Sequence, residues 1–251
     1  MSILDRVSFQ LYSAREFPPL DNQLALLAEI GYRNVEPYDG LFQDPASLRA
    51  ALDAHGLKTP TAHIGIDRLR ADVGTVARLA KAFDISLVVT PFIPLEERPR
   101  TAEGWQQLGK ELGSYQQALA AEGLDYAWHN HDFEFARLVD ETYPIDHILS
   151  AAPGLKWQAD LGWIAWAGEY IAAWIDKYKD RVAAVHVKDL ALWGENADEQ
   201  GQADVGHGVI DWQSLLPALK APGVKCLVLE HDNPSDFERF ARRSFATVSA
   251  W

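Results

Sequence analysis

Tyr126-Ala-Trp-His129-Asn-His131, Leu155-Lys-Trp-Gln-Ala-Asp160, Val182-Ala-Ala-Val-His186 and Cys226-Leu-Val-Leu-Glu230 decide how this chain is read. Each is a short apolar run ending in side chains that can ligate a metal. Runs of this length bounded by loop residues read as buried parallel strands. In a closed parallel barrel the C-terminal strand ends meet at one mouth, so groups far apart in sequence become neighbours in space. His, Asp, His and Glu form the mixed nitrogen and oxygen set that divalent Mn, Zn, Co or Fe accept.

Strand-like runs recur about eight times along the chain, at 7–11, 34–36, 59–64, 87–90, 126–131, 155–160, 182–188 and 225–230, alternating with amphipathic segments. Asp44-Pro45 and Asp211-Trp212 mark helix starts, and Gly31, Gly56 and Gly123 mark stops. The sixth helix is expected from about Glu169 to Tyr178, and 190–210 reads as one long loop. This order predicts an α/β chain, a (β/α)₈ TIM barrel forming one domain over residues 1–251. An open doubly wound sheet is the rival, but no Gly-rich loop follows the first strand.

The net charge of −13, from 36 acidic and 23 basic residues, repels a phosphate backbone, and no basic cluster offsets it, so nucleic acid is not an expected partner. No apolar run approaches membrane-spanning length, and the N-terminus lacks the pattern of a signal peptide. Cys226 is the only cysteine, which excludes an internal disulfide and fits a reducing cytoplasm; inside an apolar strand it reads as a small buried filler.

Side chains alternate along a strand, which groups His129 with His131, Gln158 with Asp160, and His186 with Lys188. A carboxylate closing a buried strand, as Glu230 does, needs a cationic partner, and a metal or a neighbouring Arg or Lys would serve. Lys188 is a candidate for binding an anionic oxygen or moving a proton, against an ordinary ion pair with Asp189. Gln10, Glu36 and His63 close the first three strands and are candidate substrate-binding groups; for Glu36 the alternative is a bridge to Arg33 or Arg15. Trp163 falls beyond the sixth strand, where an indole face can stack on a sugar ring, whereas Trp128 and Trp157 are expected to face the helices.

Asn34-Val-Glu-Pro37, Trp128-His-Asn-His-Asp-Phe-Glu-Phe135, Asp160-Leu-Gly-Trp163, His186-Val-Lys-Asp189, Gly206-His-Gly-Val-Ile-Asp-Trp212 and Leu229-Glu-His-Asp232 together resemble the sugar phosphate isomerase/epimerase family of xylose isomerase-like barrels, over essentially the whole chain. The resemblance implies one divalent ion, Mn²⁺ first and Zn, Co, Mg or Fe as alternatives, with Asp160, His186 and Glu230 matching the last three ligands. Ketose epimerases of that family carry a Glu at the end of strand five. Here the position is His129, with His131 as its rival, and Glu134 and Glu36 are the stand-ins for the missing carboxylate.

The implied chemistry is removal of a proton beside a carbonyl through a metal-stabilised enediolate, giving an isomer or epimer of a small sugar. A lyase or dehydratase of a keto-sugar or keto-inositol is the alternative on the same site. Glu230 is the expected base, with His131, Lys188 or His129 as the acid. A non-catalytic sugar-binding barrel and an endonuclease IV-like nuclease are weaker rivals. The sequence is compatible with a homo-oligomer and does not define one.

Overall fold

The computed structural model describes residues 3–251. Its strands are β1 (Val7–Gln10), β2 (Asn34–Glu36), β3 (Thr61–His63), β4 (Leu87–Thr90), β5 (Asp125–His129), β6 (Lys156–Asp160), β7 (Val182–Val187), β8 (Asp189–Leu190), β9 (Gln202–Ala203) and β10 (Cys226–Leu229). Eight of them make one parallel sheet in the order β2-β1-β10-β7-β6-β5-β4-β3, and β8 and β9 form a separate antiparallel pair. Val35 N donates to Lys58 O (2.8 Å), Lys58 N to Arg33 O (2.9 Å) and His63 N to Pro37 O (2.9 Å). These bonds bring the β2 and β3 edges together and close the expected (β/α)₈ barrel.

The helices are α1 (Leu20–Ile30), α2 (Pro45–Ala54), α3 (Ile66–Ala82), α4 (Ala102–Ala121), α5 (Pro144–Ala151), α6 (Leu161–Trp166), α7 (Ile171–Lys177), α8 (Trp212–Leu219) and α9 (Phe237–Ser249). Local chemistry sets their ends. Asp44, Thr101, Asp211 and Asp236 each accept a backbone N–H from the first turn of α2, α4, α8 and α9. Gly31 ends α1 at φ 116°, a left-handed angle that costs glycine nothing. Among the described residues no helix is long and apolar enough to cross a membrane.

The alternation of strand side chains makes two cores. Leu87, Val89, Ala127, Ala184, Cys226 and Val228 pack inside the barrel. Trp128, Trp157, Tyr126, Phe9 and Val35 face outward and join the helices in the larger core. Small Ala and Cys residues on the inner face leave room above them for the polar groups of the mouth. One irregularity sets the register there. Trp157 pairs with Val182 but Gln158 with Ala184, so Ala183 is an extra residue in β7. Beyond that bulge Asp160 stands opposite His186, both directed inward.

Three expectations are corrected. β5 stops at His129, so His131 lies in the following loop and strand alternation does not place it. The segment after Asp160 is helix α6 rather than loop, because the Asp160 side chain caps it, accepting from Trp163 N at 2.8 Å. The stretch 190–210 is not one loop, since it contains β9 and the short helical turn Ala197–Glu199.

Asp189 organises that last region. Its Oδ1 accepts from Leu190 N and Ile210 N, and its Oδ2 from Gly206 N, Gly208 N and Trp212 Nε1. A Cβ on Gly208 would fall 2.1 Å from Leu190 O, so only glycine allows the approach. The backbone donors of Gly206 and Gly208 are therefore spent on an internal carboxylate, and that of His207 on the Asp204 carbonyl. Replacing Asp189 by Ala is expected to lower stability by at least about 3 kcal/mol, because several buried donors lose their acceptor together. Urea unfolding measures this, and a loss under about 1 kcal/mol would show that water takes over those donors.

Candidate active site at the barrel mouth

Ligand atoms of His129, Asp160, His186 and Glu230 all lie within 4.8 Å of one another, and all four side chains are buried. Each comes from the C-terminal end of a different strand. Asp160 Oδ2 is 3.9 Å from His129 Nε2 and from His186 Nδ1, and His186 Nδ1 is 2.7 Å from Glu230 Oε2. Asp160 divides its work, since Oδ1 caps α6 while Oδ2 is buried and takes no hydrogen bond of proper geometry. Lys188 Nζ stands 3.1 Å from that oxygen as an ion pair. Two imidazoles and two carboxylates, one with an oxygen that a cation rather than a hydrogen bond meets, make a mixed nitrogen and oxygen set that fits a divalent cation, and these four residues would hold it. His129 rather than His131 belongs to the cluster.

The remaining ring nitrogens are fixed from below. His186 Nε2 is 2.7 Å from Glu36 Oε1, and His129 Nδ1 is 3.1 Å from Gln158 Oε1. Partners of this kind set the tautomer and orientation of ligating histidines. Glu36 is fully buried and receives Gln10 Nε2 (2.8 Å) and Gln158 Nε2 (2.7 Å) as well, with His63 Nε2 3.0 Å away. Neither Arg33 nor Arg15 pairs with it. A second triad, His63, His129 and His186, also brings its nitrogens within 4.8 Å.

Charge is balanced inside this pocket. Burial alone would discharge His186, but Glu230 and Glu36 on either side raise its pKa to about 10. Burial also opposes the charge on Lys188, and Asp160, Asp232 and Glu230 outweigh it and raise the ammonium pKa. Glu230 is pushed up by burial yet ends well below the ordinary range under Lys188 and His186. Asp160 rises to about 6 through burial, against the pull of Lys188. His129 is held neutral by burial and by the neighbouring His186 and His63.

A cavity of about 400 Å³ opens above the cluster, lined among others by His63, His129, His131, Glu230 and Asp232, with Tyr12, Tyr38 and Phe92 as its apolar walls. The His131 ring stacks on Phe133 (centroids 5.8 Å, interplanar 11°) and lies 5.6 Å from the Trp163 ring. Burial and Lys188 lower its pKa to about 4, so it is a neutral imidazole. Its Nδ1 and the Trp163 Nε1 are both buried without a hydrogen-bond partner. Lys188 does not pair with Asp189; its Nζ meets Glu230 Oε2 at 3.0 Å and Asp232 Oδ2 at 2.7 Å, under the Trp163 ring. Glu134 points away from the cluster, accepting from Trp128 Nε1 and His131 N.

Asn130 and Asp232 have roles that strand periodicity does not reveal. Asn130 Oδ1 accepts from Asp160 N (3.0 Å) and Trp157 Nε1 (2.9 Å), and its Nδ2 donates to Asp160 O (3.2 Å). It pins the end of β6 to that of β5. The only signal in the sequence is its place between the two histidines.

Two outcomes are expected. Asp160→Ala should abolish retention of a divalent ion by elemental analysis and leave the far-ultraviolet dichroism of the barrel in place; full occupancy would remove Asp160 from the ligand set. Ligation also requires neutral His186, whose pKa is about 10. Binding of one ion near pH 7.5 should therefore release a proton, with apparent affinity falling about tenfold per unit as pH drops. Calorimetry in buffers of different ionisation enthalpy counts that proton, and a count of zero would put the ion elsewhere.

Comparisons with known proteins agree with this architecture. The rhizopine catabolism protein MocC of Rhizobium meliloti is 23% identical over 92% of this chain and 82% of its own length. A sugar phosphate isomerase/epimerase from Parabacteroides distasonis superposes with a TM-score of 0.78 at 15% identity, over 96% of this chain and 92% of that one. The probable 3-DHS dehydratase AsbF from Bacillus anthracis gives 0.76 at 12% identity, over 97% and 98%. The IolI protein with a bound zinc atom gives 0.74 at 16% identity, over 98% and 95%. The family model for xylose isomerase-like TIM barrels matches residues 24–247, and the chain belongs to that family.

Proposed function

We propose that this barrel is a divalent-metal-dependent carbohydrate enzyme that removes a proton next to a carbonyl, acting as an isomerase or epimerase of a small sugar. The observation that carries the reading is the four-residue donor cluster of His129, Asp160, His186 and Glu230, buried directly below a sugar-sized cavity. When bound, Mn²⁺, or Zn²⁺, Co²⁺, Mg²⁺ or Fe²⁺ in its place, would polarise a carbonyl and its neighbouring hydroxyl.

The residues divide the remaining work. Glu230 reaches the cavity as a carboxylate and is the group placed to accept the proton, with Lys188 3.0 Å from its Oε2. His131, neutral and held between Phe133 and Trp163, is placed at the cavity wall to exchange a proton with the opposite side of the substrate. Lys188 lies below Glu230 and stabilises the charge that moves there. Glu36 and Gln10 act as positioning groups beneath the histidines, while His63 and Trp163 remain the substrate-facing candidates. Reprotonation on the other face gives an epimer, and on the next carbon an isomer.

A lyase reading is favoured by one observation. Strand five supplies His129, and the nearest substitute carboxylate, Glu134, is turned outward onto Trp128. A proton shuttle between two ligating carboxylates is thus not built here, and one base with a neutral imidazole acid also serves β-elimination. The dehydratase among the structural neighbours fits that alternative. We place the protein in the cytoplasm, as one barrel domain with a small-molecule partner and no nucleic acid, on its single cysteine and its charge of −13.

Metal analysis followed by deuterium exchange beside the carbonyl of a ketose panel tests the proposal, and a metal-free protein without exchange would end it. Glu230→Gln should retain some metal and lose at least about 10²-fold in exchange rate, the lower end for one general base. Near-normal exchange in a metal-replete variant would move the base to another group.

A further inference from the structure

Two residues beyond Glu230, Asp232 has one carboxylate oxygen clamped and the other free. Its Oδ2 accepts from Lys188 Nζ at 2.7 Å and from Gln202 Nε2 at 2.5 Å. Gln202 completes the clamp, its Oε1 accepting from Asp232 N at 2.9 Å. Gln202 is buried on β9, so the β8–β9 pair, held in place by Asp189, delivers this side chain to the mouth. Asp232 Oδ1 has no protein partner among the described residues, and Asp232 lines the cavity beside Glu230. A carboxylate oxygen left free on a clamped side chain that lines a cavity is an acceptor for an O–H donor, and carboxylate acceptors make the stronger hydrogen bonds.

The charges around the cavity point the same way. Asp39, Glu230 and Asp232 line it, and among the described residues no Lys or Arg does. The arginines that touch Asp39, Tyr12 and Asp232 are already engaged. Arg68 Nε pairs with Asp39, and Arg15 donates to the carbonyls of Tyr12 and Asp232 with its guanidinium over the Tyr12 ring. A sugar hydroxyl can donate to Asp232 Oδ1, whereas a phosphate dianion offers only acceptors and finds no Lys or Arg on the cavity wall among the described residues.

We propose that Asp232, clamped by Gln202 and Lys188, reads a hydroxyl of the substrate and, in a cavity without a lining Lys or Arg, makes the mouth select an uncharged polyhydroxylated sugar over its phosphate ester. The inference rests on the carbohydrate reading of the site and adds the substrate class to it. Gln202 is a positioning residue that acts through Asp232.

The test compares wild type, Asp232→Asn and Gln202→Ala, with D-fructose, D-tagatose and their 6-phosphates as probes. Metal content, saturation-transfer NMR binding and deuterium exchange are read on the same preparations. Asp232→Asn replaces the free acceptor by an amide and is expected to keep wild-type metal content. Its sugar binding should weaken about tenfold or more, the cost of one charged hydrogen bond, with its preference for free sugar over phosphate reduced. Gln202→Ala should raise KM more than it lowers kcat. Wild-type binding and selectivity in Asp232→Asn, or equal binding of sugar and sugar phosphate by wild type, would overturn the inference and leave the metal-dependent reading standing. Sugar binding lost in Asp232→Asn, with no exchange in any preparation, would uphold the inference while the proposed reaction falls. Absence of binding to every probe by wild type would overturn both.

Discussion

The mouth of this barrel depends on gathering four carboxyl groups in a space where an isolated charge is very costly. Glu36, Asp160 and Glu230 are at most 4% exposed, and Asp232 adds a fourth charge at the cavity edge. Removing such groups from water costs several kcal/mol each unless cations and hydrogen bonds replace the lost hydration. Two cations supply the balance. His186 sits between Glu36 and Glu230, and Lys188 between Asp160, Glu230 and Asp232. Each cation is shared, so moving any one strand end would unbalance the others. The extra residue in β7 matters for this reason, because it sets the register in which His186 and Lys188 reach the acids on both sides.

Below this level a layer of hydrogen bonds fixes direction. Gln10, Gln158 and His63 surround Glu36 with donors, so its carboxylate has one orientation and passes that orientation to His186. Gln158 does the same for His129. Amides suit this layer because they donate and accept without adding charge. Lysine in place of Gln10 would overload the cations, and leucine would leave Glu36 short of a donor.

Much of this was legible in the sequence because it follows from period-two alternation and strand ends. Asp160, His186 and Glu230 were readable since each closes an apolar run, and the barrel followed from the alternation of such runs with capped helices. Alternation fails where the strand stops. His131 lies past the end of β5, and its environment comes from stacking on Phe133, a contact no spacing rule encodes. The start of α6 was hidden because Asp160 read as a ligand, and only its two oxygens show that it is also a cap: Oδ1 accepts from Trp163 N while Oδ2 faces the cluster. Glu36 at a strand end looked like a substrate contact, and only three-dimensional packing shows both its oxygens occupied. The clamp on Asp232 depends on Gln202, thirty residues away in a stretch with no apolar periodicity.

The tryptophans connect the helix layer to the mouth. Trp128 and Trp157 each precede an inward polar residue, His129 or Gln158, so alternation turns the indoles outward into the larger core. Their N–H groups still need acceptors, and those acceptors brace the loops of the mouth. Trp128 Nε1 donates to Glu134, which also takes His131 N; Trp157 Nε1 donates to Asn130, which also takes Asp160 N. Trp212 Nε1 donates to Asp189, which gathers the backbone of the glycine loop. An indole offers both a large apolar surface and one directional donor, which phenylalanine or leucine cannot supply together. Hydrophobic packing outside the barrel is in this way converted into fixed positions for the polar groups above it. The same arrangement explains why Glu134 is unavailable as a ligand: its carboxylate, with a pKa raised to about 8 by burial, is committed to holding His131 rather than to meeting a cation.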